Sequence, residues 1–110
     1  MSESARDRIQ NLVDTHKVML FMKGTKSFPQ CGFSNAVVQM LKLHGAPFET
    51  FNVLADPEVR DGIKSFSNWP TLPQLYIGGK FVGGCDIVTE MHESGDLRRE
   101  LEEAGVIAAS

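Results

Sequence analysis

The run Val18-Met19-Leu20-Phe21-Met22 is apolar at every position. A strand with one face in water alternates polar and apolar side chains. A strand with no polar side chain is buried on both faces, the habit of a parallel sheet covered by helices on either side. The flanking sequence supplies such helices. Beyond the polar loop Lys23 to Gln30, which contains Gly24 and Pro29, the residues Phe33, Ala36, Val37, Met40 and Leu41 recur at the spacing of one helix face, ended by Gly45. Ahead of the run, Ala5, Ile9, Leu12 and Val13 predict a short first helix. Phe48 to Val53 predicts a second strand. Asp56-Pro57 then opens a helix, with Asp as cap, Pro in the first turn, and Val59, Ile63 and Phe66 inward. Leu75-Tyr76-Ile77 and Lys80-Phe81-Val82 flank Gly78-Gly79, a two-residue hairpin signature. Gly83-Gly84 break the strand, Asp86 can cap a final helical region, and Leu97, Leu101 and Ala104 form its inner stripe. The order α-β-α-β-α-β-β-α predicts an α/β fold: a four-stranded mixed sheet flanked by helices on both faces.

The 110 residues suit one domain spanning 1–110, and 42% hydrophobic residues suffice for one core. A net charge of −3 without a block of five like charges argues against coating a nucleic acid, which needs a dense basic face. Arg98-Arg99-Glu100 and Glu102-Glu103 read as solvated helix faces. No apolar run approaches the roughly 20 residues that span a bilayer, and Met1 to Arg8 lacks the apolar core of a secretory signal. Two cysteines do not make a disulfide framework. The expected location is therefore cytoplasmic, or an organelle stroma or matrix if the chain is a trimmed mature form.

Cys31 stands where the loop after the apolar strand meets the amphipathic helix. Free amides at a helix N-terminus favour a thiolate there, and Lys23 can add positive potential; the alternative is a small buried hydrophobe. Position 34 is Ser, so no Cys-x-x-Cys exchange through residues 31 and 34 is available. In Trp69-Pro70-Thr71-Leu72-Pro73 the two prolines forbid a helix and fix an extended loop. That loop either offers backbone groups to a bound peptide or is a rigid turn into the hairpin. Gly83-Gly84-Cys85-Asp86 either lets a ligand approach the backbone at a helix start or is a strand-ending bend. His16, His44 and His92 are isolated, and none stands at metal-ligand spacing from a cysteine, which speaks against a closed zinc site. Met19, Met22 and Met40 read as core.

Lys23-Gly24-Thr25, Cys31-Gly32-Phe33-Ser34, Trp69-Pro70-Thr71 with Pro73-Gln74, and Gly83-Gly84-Cys85-Asp86 occur in this order across nearly the whole chain. Together they resemble the CGFS-type monothiol glutaredoxins, whose fold is thioredoxin-like. The resemblance implies glutathione contacts from Lys23, Arg60, the backbone at Leu72 before a cis Pro73, Cys85 and Asp86, with Trp69 supporting the loop. It implies that Cys31 is the catalytic thiol, pairs with the glutathione sulfur, and is the protein's metal ligand. The metal is a two-iron, two-sulfur cluster (2Fe-2S) shared by a homodimer, with two glutathione thiolates completing the ligand set.

Three functions follow from that resemblance. One is an iron–sulfur carrier that hands its cluster to apo iron–sulfur proteins. Another is a glutathione-dependent oxidoreductase, weak at most, that reduces protein–glutathione mixed disulfides through Cys31 alone. The third is an adaptor that binds a BolA-like protein. The carrier is the leading expectation.

Overall fold

The structure, a computed structural model, describes residues 3–109. Met1 and Ser2 of the opening stretch, and Ser110, lie outside the described residues. The element order is α1 (Glu3–Thr15), β1 (Val18–Met22), α2 (Gly32–Leu43), β2 (Glu49–Asn52), a 3-10 turn (Val53–Ala55), α3 (Pro57–Ser67), β3 (Gln74–Ile77), β4 (Lys80–Gly83), α4 (Cys85–Ser94) and α5 (Asp96–Glu103). The sheet runs β2-β1-β3-β4; β1 pairs parallel with β2 and antiparallel with β3, and β3 antiparallel with β4. This is the expected thioredoxin-like α/β fold, and β1 is central and buried along its whole length.

Alternation along β1 divides the core into two layers. Val18, Leu20 and Met22 join Val37, Val38 and Leu41 of α2, Val88 of α4, and Leu97 and Leu101 of α5. Met19 and Phe21 turn the other way, onto Ile9 and Val13 of α1 and Val59 and Ile63 of α3. Each face of β1 thus has its own helical cover, which is why no position of the strand tolerates a polar side chain. Met19, Met22 and Met40 are buried, as core methionines should be.

Local signals set the boundaries. Asp56 accepts from the amides of Glu58 and Val59 and caps α3 as expected, and Arg8 pairs with the same carboxylate. Gly78 and Gly79 both take positive φ and close the β3–β4 hairpin. Four expectations change. The second strand is shorter, because Val53 leaves it for the 3-10 turn, where Asn52 caps the amide of Leu54. The final helical region is two helices, broken where Gly95 adopts φ 90°. Asp86 is not the cap of α4: Gly84 is, and Asp86 lies exposed in the first turn. Phe33, expected on the inner face of α2, is 62% exposed. Ser34 takes the inner seat instead, fully buried, its hydroxyl accepting from the Lys23 amide at 3.2 Å.

Candidate functional site

Cys31 is the N-cap residue of α2, with extended backbone (φ −147°, ψ 134°) and a half-buried side chain. Its sulfur caps no amide as an oxygen would, yet it lies in the field of the first-turn donors. The Ser34 amide does most to hold the thiol below its ordinary value. Burial opposes this, and the Phe33 amide, the Ser34 hydroxyl and the Lys23 charge add to it in that order. The reactive reading of Cys31 therefore has its electrostatic cause in the helix start.

The loop that presents Cys31 is pinned from several sides. Gly24 donates its N–H to Asn52 Oδ1 at 2.9 Å, Thr25 and Phe28 exchange backbone bonds, and the Gln30 amide reaches Lys23 O at 2.9 Å. Gly24 has φ +95°, and a Cβ there would sit 2.5 Å from the Gln30 nitrogen and 2.6 Å from the Phe28 oxygen. Only glycine fits. Lys26 crosses to the residue just before β2, donating to the Phe48 carbonyl with its ammonium over the Phe48 ring.

Facing Cys31 is the Trp69–Pro73 loop, whose Leu72–Pro73 bond is cis. Gln74 fixes it from below. This fully buried amide donates to Trp69 O at 3.1 Å and to Thr71 O at 3.2 Å, and its Oε1 accepts from the Tyr76 hydroxyl at 3.3 Å. Burial pushes the Tyr76 phenol up to about 12, so it stays a donor. With three of its bonding positions satisfied, Gln74 holds the loop without competing for ligands. Leu72 lies just before β3, and no strand pairs with its backbone. On the far side, Gly83 admits no side chain, since a Cβ would lie 2.8 Å from Ile87 Cβ.

Two abutting hollows result. One, of about 340 Å³, is lined by Lys23, Cys31, Arg60, Lys64 and the Pro70–Leu72 stretch. The other, of about 220 Å³, is lined by Trp69, Gly84, Cys85, Asp86 and Ile87. Phe33, Thr71 and Leu72 belong to both. A larger recess, at the start of β1 and β2, contains none of these residues. All six residues singled out in the sequence, Cys31, Lys23, Arg60, Leu72, Cys85 and Asp86, thus line one continuous groove. Lys23, Arg60 and Lys64 put three cations at one end, and none is in an ion pair among the described residues. Asp86, released from capping, puts a carboxylate at the other. Cys85 is partly buried against the core, with its sulfur 4.0 Å from Thr89 Oγ1.

The glutaredoxin family model matches residues 18–82, the span from β1 into β4. A Synechocystis sp. relative named uncharacterized monothiol glutaredoxin ycf64-like is 58% identical over 104 residues, covering 94% of this chain and 97% of the relative. The chain belongs to the monothiol glutaredoxins. The Saccharomyces cerevisiae relative named monothiol glutaredoxin-5, mitochondrial, is 50% identical over 107 residues, covering 94% of this chain and 71% of the relative. A solved structure of a buckwheat glutaredoxin–glutathione complex superposes with a TM-score of 0.86 at 29% identity, covering 98% of this chain and all of that one.

Sequence reasoning about this monothiol glutaredoxin missed two parts of the groove. Lys64 follows Arg60 by one helical turn, so the i, i+4 spacing of two cations on α3 was an available signal. Phe33 was misread because helical spacing alone does not say which end of a stripe overhangs the sheet. No helix among the described residues is long and apolar enough to cross a membrane.

Proposed function

We propose that this monothiol glutaredoxin binds glutathione along the groove and, as a homodimer, carries a glutathione-ligated 2Fe-2S cluster on Cys31. The observation that carries this is the groove's order of charge: three cations beside Cys31, a backbone segment outside the sheet at Leu72, and the α4 N-terminus with Asp86 beyond it. Glutathione is an extended tripeptide with a carboxylate at each end, an ammonium at one, and a thiol between. Lys23, Arg60 and Lys64 suit the glycine carboxylate, and Leu72 suits the peptide backbone. Asp86 suits the ammonium, and the first amides of α4, where Cys85 sits, suit the remaining carboxylate. The thiol would then meet Cys31. In this reading residues 1–110 act as one glutaredoxin domain.

The cluster is cargo. A 2Fe-2S cluster takes four thiolates in all, and in this reading each chain gives one, Cys31, while Cys85, at the other end of the groove, packs partly against the core with its sulfur beside Thr89 Oγ1. Two chains and two glutathiones complete the set. The exposed rings of Phe33 and Trp69 give the groove an apolar rim suited to a second copy or a BolA-like protein. Glutathione ligands can be displaced thiol by thiol by the cysteines of an apo iron–sulfur protein. The mitochondrial relative supports an organelle matrix as readily as the cytosol.

A second reading rests on the lowered Cys31 thiol. Its thiolate can attack the glutathione sulfur of a mixed disulfide, releasing the protein thiolate. A second glutathione thiolate then attacks that sulfur, frees Cys31, and leaves as glutathione disulfide. Ser34 cannot replace that second thiol, so turnover waits on an outside collision. The test is to purify the protein without oxygen in glutathione, record its visible spectrum, and compare cluster transfer to apo-ferredoxin with turnover of a small glutathione mixed disulfide. Charge-transfer bands, rapid transfer and low turnover are expected. A colourless protein that reduces mixed disulfides briskly would replace the carrier with the enzyme.

A further inference from the structure

Gln74 is a polar side chain that an apolar layer would be expected to exclude. It pairs with Phe21 across the sheet, bonds to Tyr76 of the α1–α3 core layer, and is fully buried. Ser34 is the other buried polar residue among the described residues. Burying an amide costs stability unless its bonds are made. Gln74 makes three, and their order is forced. Only its NH2 group can donate to the carbonyls of Trp69 and Thr71, which leaves Oε1 for the Tyr76 hydroxyl.

Peptide geometry turns those bonds into a direction. In a trans peptide the C=O of one residue and the N–H of the next point opposite ways. The Thr71–Leu72 bond is trans. With the Thr71 carbonyl drawn onto Gln74, the Leu72 N–H points away from Gln74, and Leu72 lines both hollows of the groove. The same amide holds the Trp69 carbonyl, while the Trp69 N–H is taken by Ser67 Oγ at 3.1 Å and Lys64 O at 3.2 Å. Pro70 and Pro73 have no N–H. The loop's remaining donors, the N–H groups of Thr71 and Leu72, make no backbone bond among the described residues. We propose that Gln74 is a positioning residue for the bound peptide: by holding the Thr71 carbonyl, it aims the Leu72 N–H at a carbonyl of an extended ligand lying beside Cys31. This rests on the glutathione reading above and adds that a buried amide sets the donor that reads the ligand's backbone.

Removing the amide has a specific consequence. The Trp69 and Thr71 carbonyls would lose the donor beneath them, and a buried carbonyl without a partner turns towards water. The water is on the groove side. As the Thr71 carbonyl swings outward, the Leu72 N–H swings inward with the same peptide plane. The defect therefore falls on one donor in the middle of the groove. Lys23 and Arg60 at one end, and Asp86 at the other, belong to other elements and keep their places.

The test titrates S-methylglutathione, whose blocked sulfur neither exchanges nor ligates as a thiolate, into the full-length protein, with calorimetry for affinity and NMR for amide responses. In the wild type the ligand should shift the Leu72 amide. Gln74→Met, similar in length but without donors, should bind about tenfold more weakly. Its Leu72 amide should cease to respond while that of Asp86 still does. Gln74→Glu adds a pH readout. Its carboxyl, buried beneath two carbonyls, is pushed above the ordinary range. Protonated at pH 5.5 it can donate to one carbonyl; ionised at pH 8.5 it can donate to neither. Its affinity relative to wild type should therefore fall about fivefold between those pH values. Cys31 and the ligand titrate in both proteins, and Tyr76, pushed up to about 12, stays neutral. Should Gln74→Met fail to fold, the Gln74→Glu ratio decides alone. Wild-type binding matched within twofold by Gln74→Met, or a flat Gln74→Glu ratio, would overturn the positioning role and leave the glutathione groove standing. A wild type that does not bind S-methylglutathione would overturn both.

Discussion

The two ends of α2 are finished in opposite ways. At its start, Cys31 stands in the field of first-turn amides and faces a groove with three cations, and the rings of Phe28 and Phe33 are left 74% and 62% exposed. At its finish, Gly45 turns at φ +67°, Ala46 donates back to Leu41 O, and His44 closes onto His92. The electropositive end of the helix dipole therefore stays open to an anionic sulfur, while the electronegative end is satisfied within the chain. A helix firmly held at one end can present an unsatisfied site at the other. The predictions probe how independent the two ends are.

The largest effect belongs to the open end. Cys31→Ser should remove the cluster's charge-transfer bands entirely while leaving the far-ultraviolet circular dichroism unchanged, because oxygen is a poor substitute for a thiolate on iron. Retained bands would show that another residue is the ligand. Next comes a matched pair of glycines. Gly24→Ala forces a methyl into backbone atoms and also strains a positive φ, which together cost about 3 kcal/mol. Gly45→Ala meets no atom within 4 Å and bears the strain alone, about 1 kcal/mol. Denaturant midpoints of the two variants measure the difference. Equal values would mean that the loop before Cys31 relaxes as freely as the far turn.

A smaller effect is expected in the groove itself. Lys23→Ala should weaken glutathione by about 1–3 kcal/mol, or roughly 5- to 150-fold, through loss of a charge-assisted bond. Lys23→Arg should keep part of it. Isothermal titration with glutathione checks both, and an unchanged affinity in Lys23→Ala would place the carboxylate on Arg60 and Lys64 alone.

The open end was legible in the sequence because its parts are local. Cys31 next to a helix stripe, prolines around Thr71 and Leu72, and paired glycines before Cys85 each announce themselves within a few residues. So does the fully apolar β1. What remained hidden depends on partners distant along the chain. His44 and His92 are 48 positions apart, and no local pattern brings them together. Phe33 and Ser34 exchange inner and outer places because of a bond to Lys23, on the other side of the loop. Asp86 looked like a cap because a carboxylate after two glycines usually is one. The backbone starts α4 at Gly84 instead, which leaves Asp86 free to face the groove. The break at Gly95 had a local signal, a glycine after Ser94, that the stripe of Leu97 and Leu101 overrode.

The finest prediction separates the contributions to the Cys31 thiol. Alkylation rate against pH should rise to a plateau through a midpoint below 9.0, the ordinary value. The folded thiol titrates below the unfolded one. Its stabilisation of the fold is therefore complete above the unfolded value and is lost as pH falls through the lowered midpoint. Backbone amides dominate the lowering, so deleting side chains should move the midpoint little. Ser34→Ala removes a hydroxyl that counts for less than its own amide, and Lys23→Ala removes the smallest contribution. Phe33→Pro deletes a first-turn N–H at a position where proline is tolerated, so it should raise the midpoint more than either. The expected order of upward shifts is Phe33→Pro, then Ser34→Ala, then Lys23→Ala. Were Lys23→Ala to move it most, the thiolate would owe its stability to a side-chain charge, and the contrast between a backbone-built open end and a side-chain-sealed far end would fail.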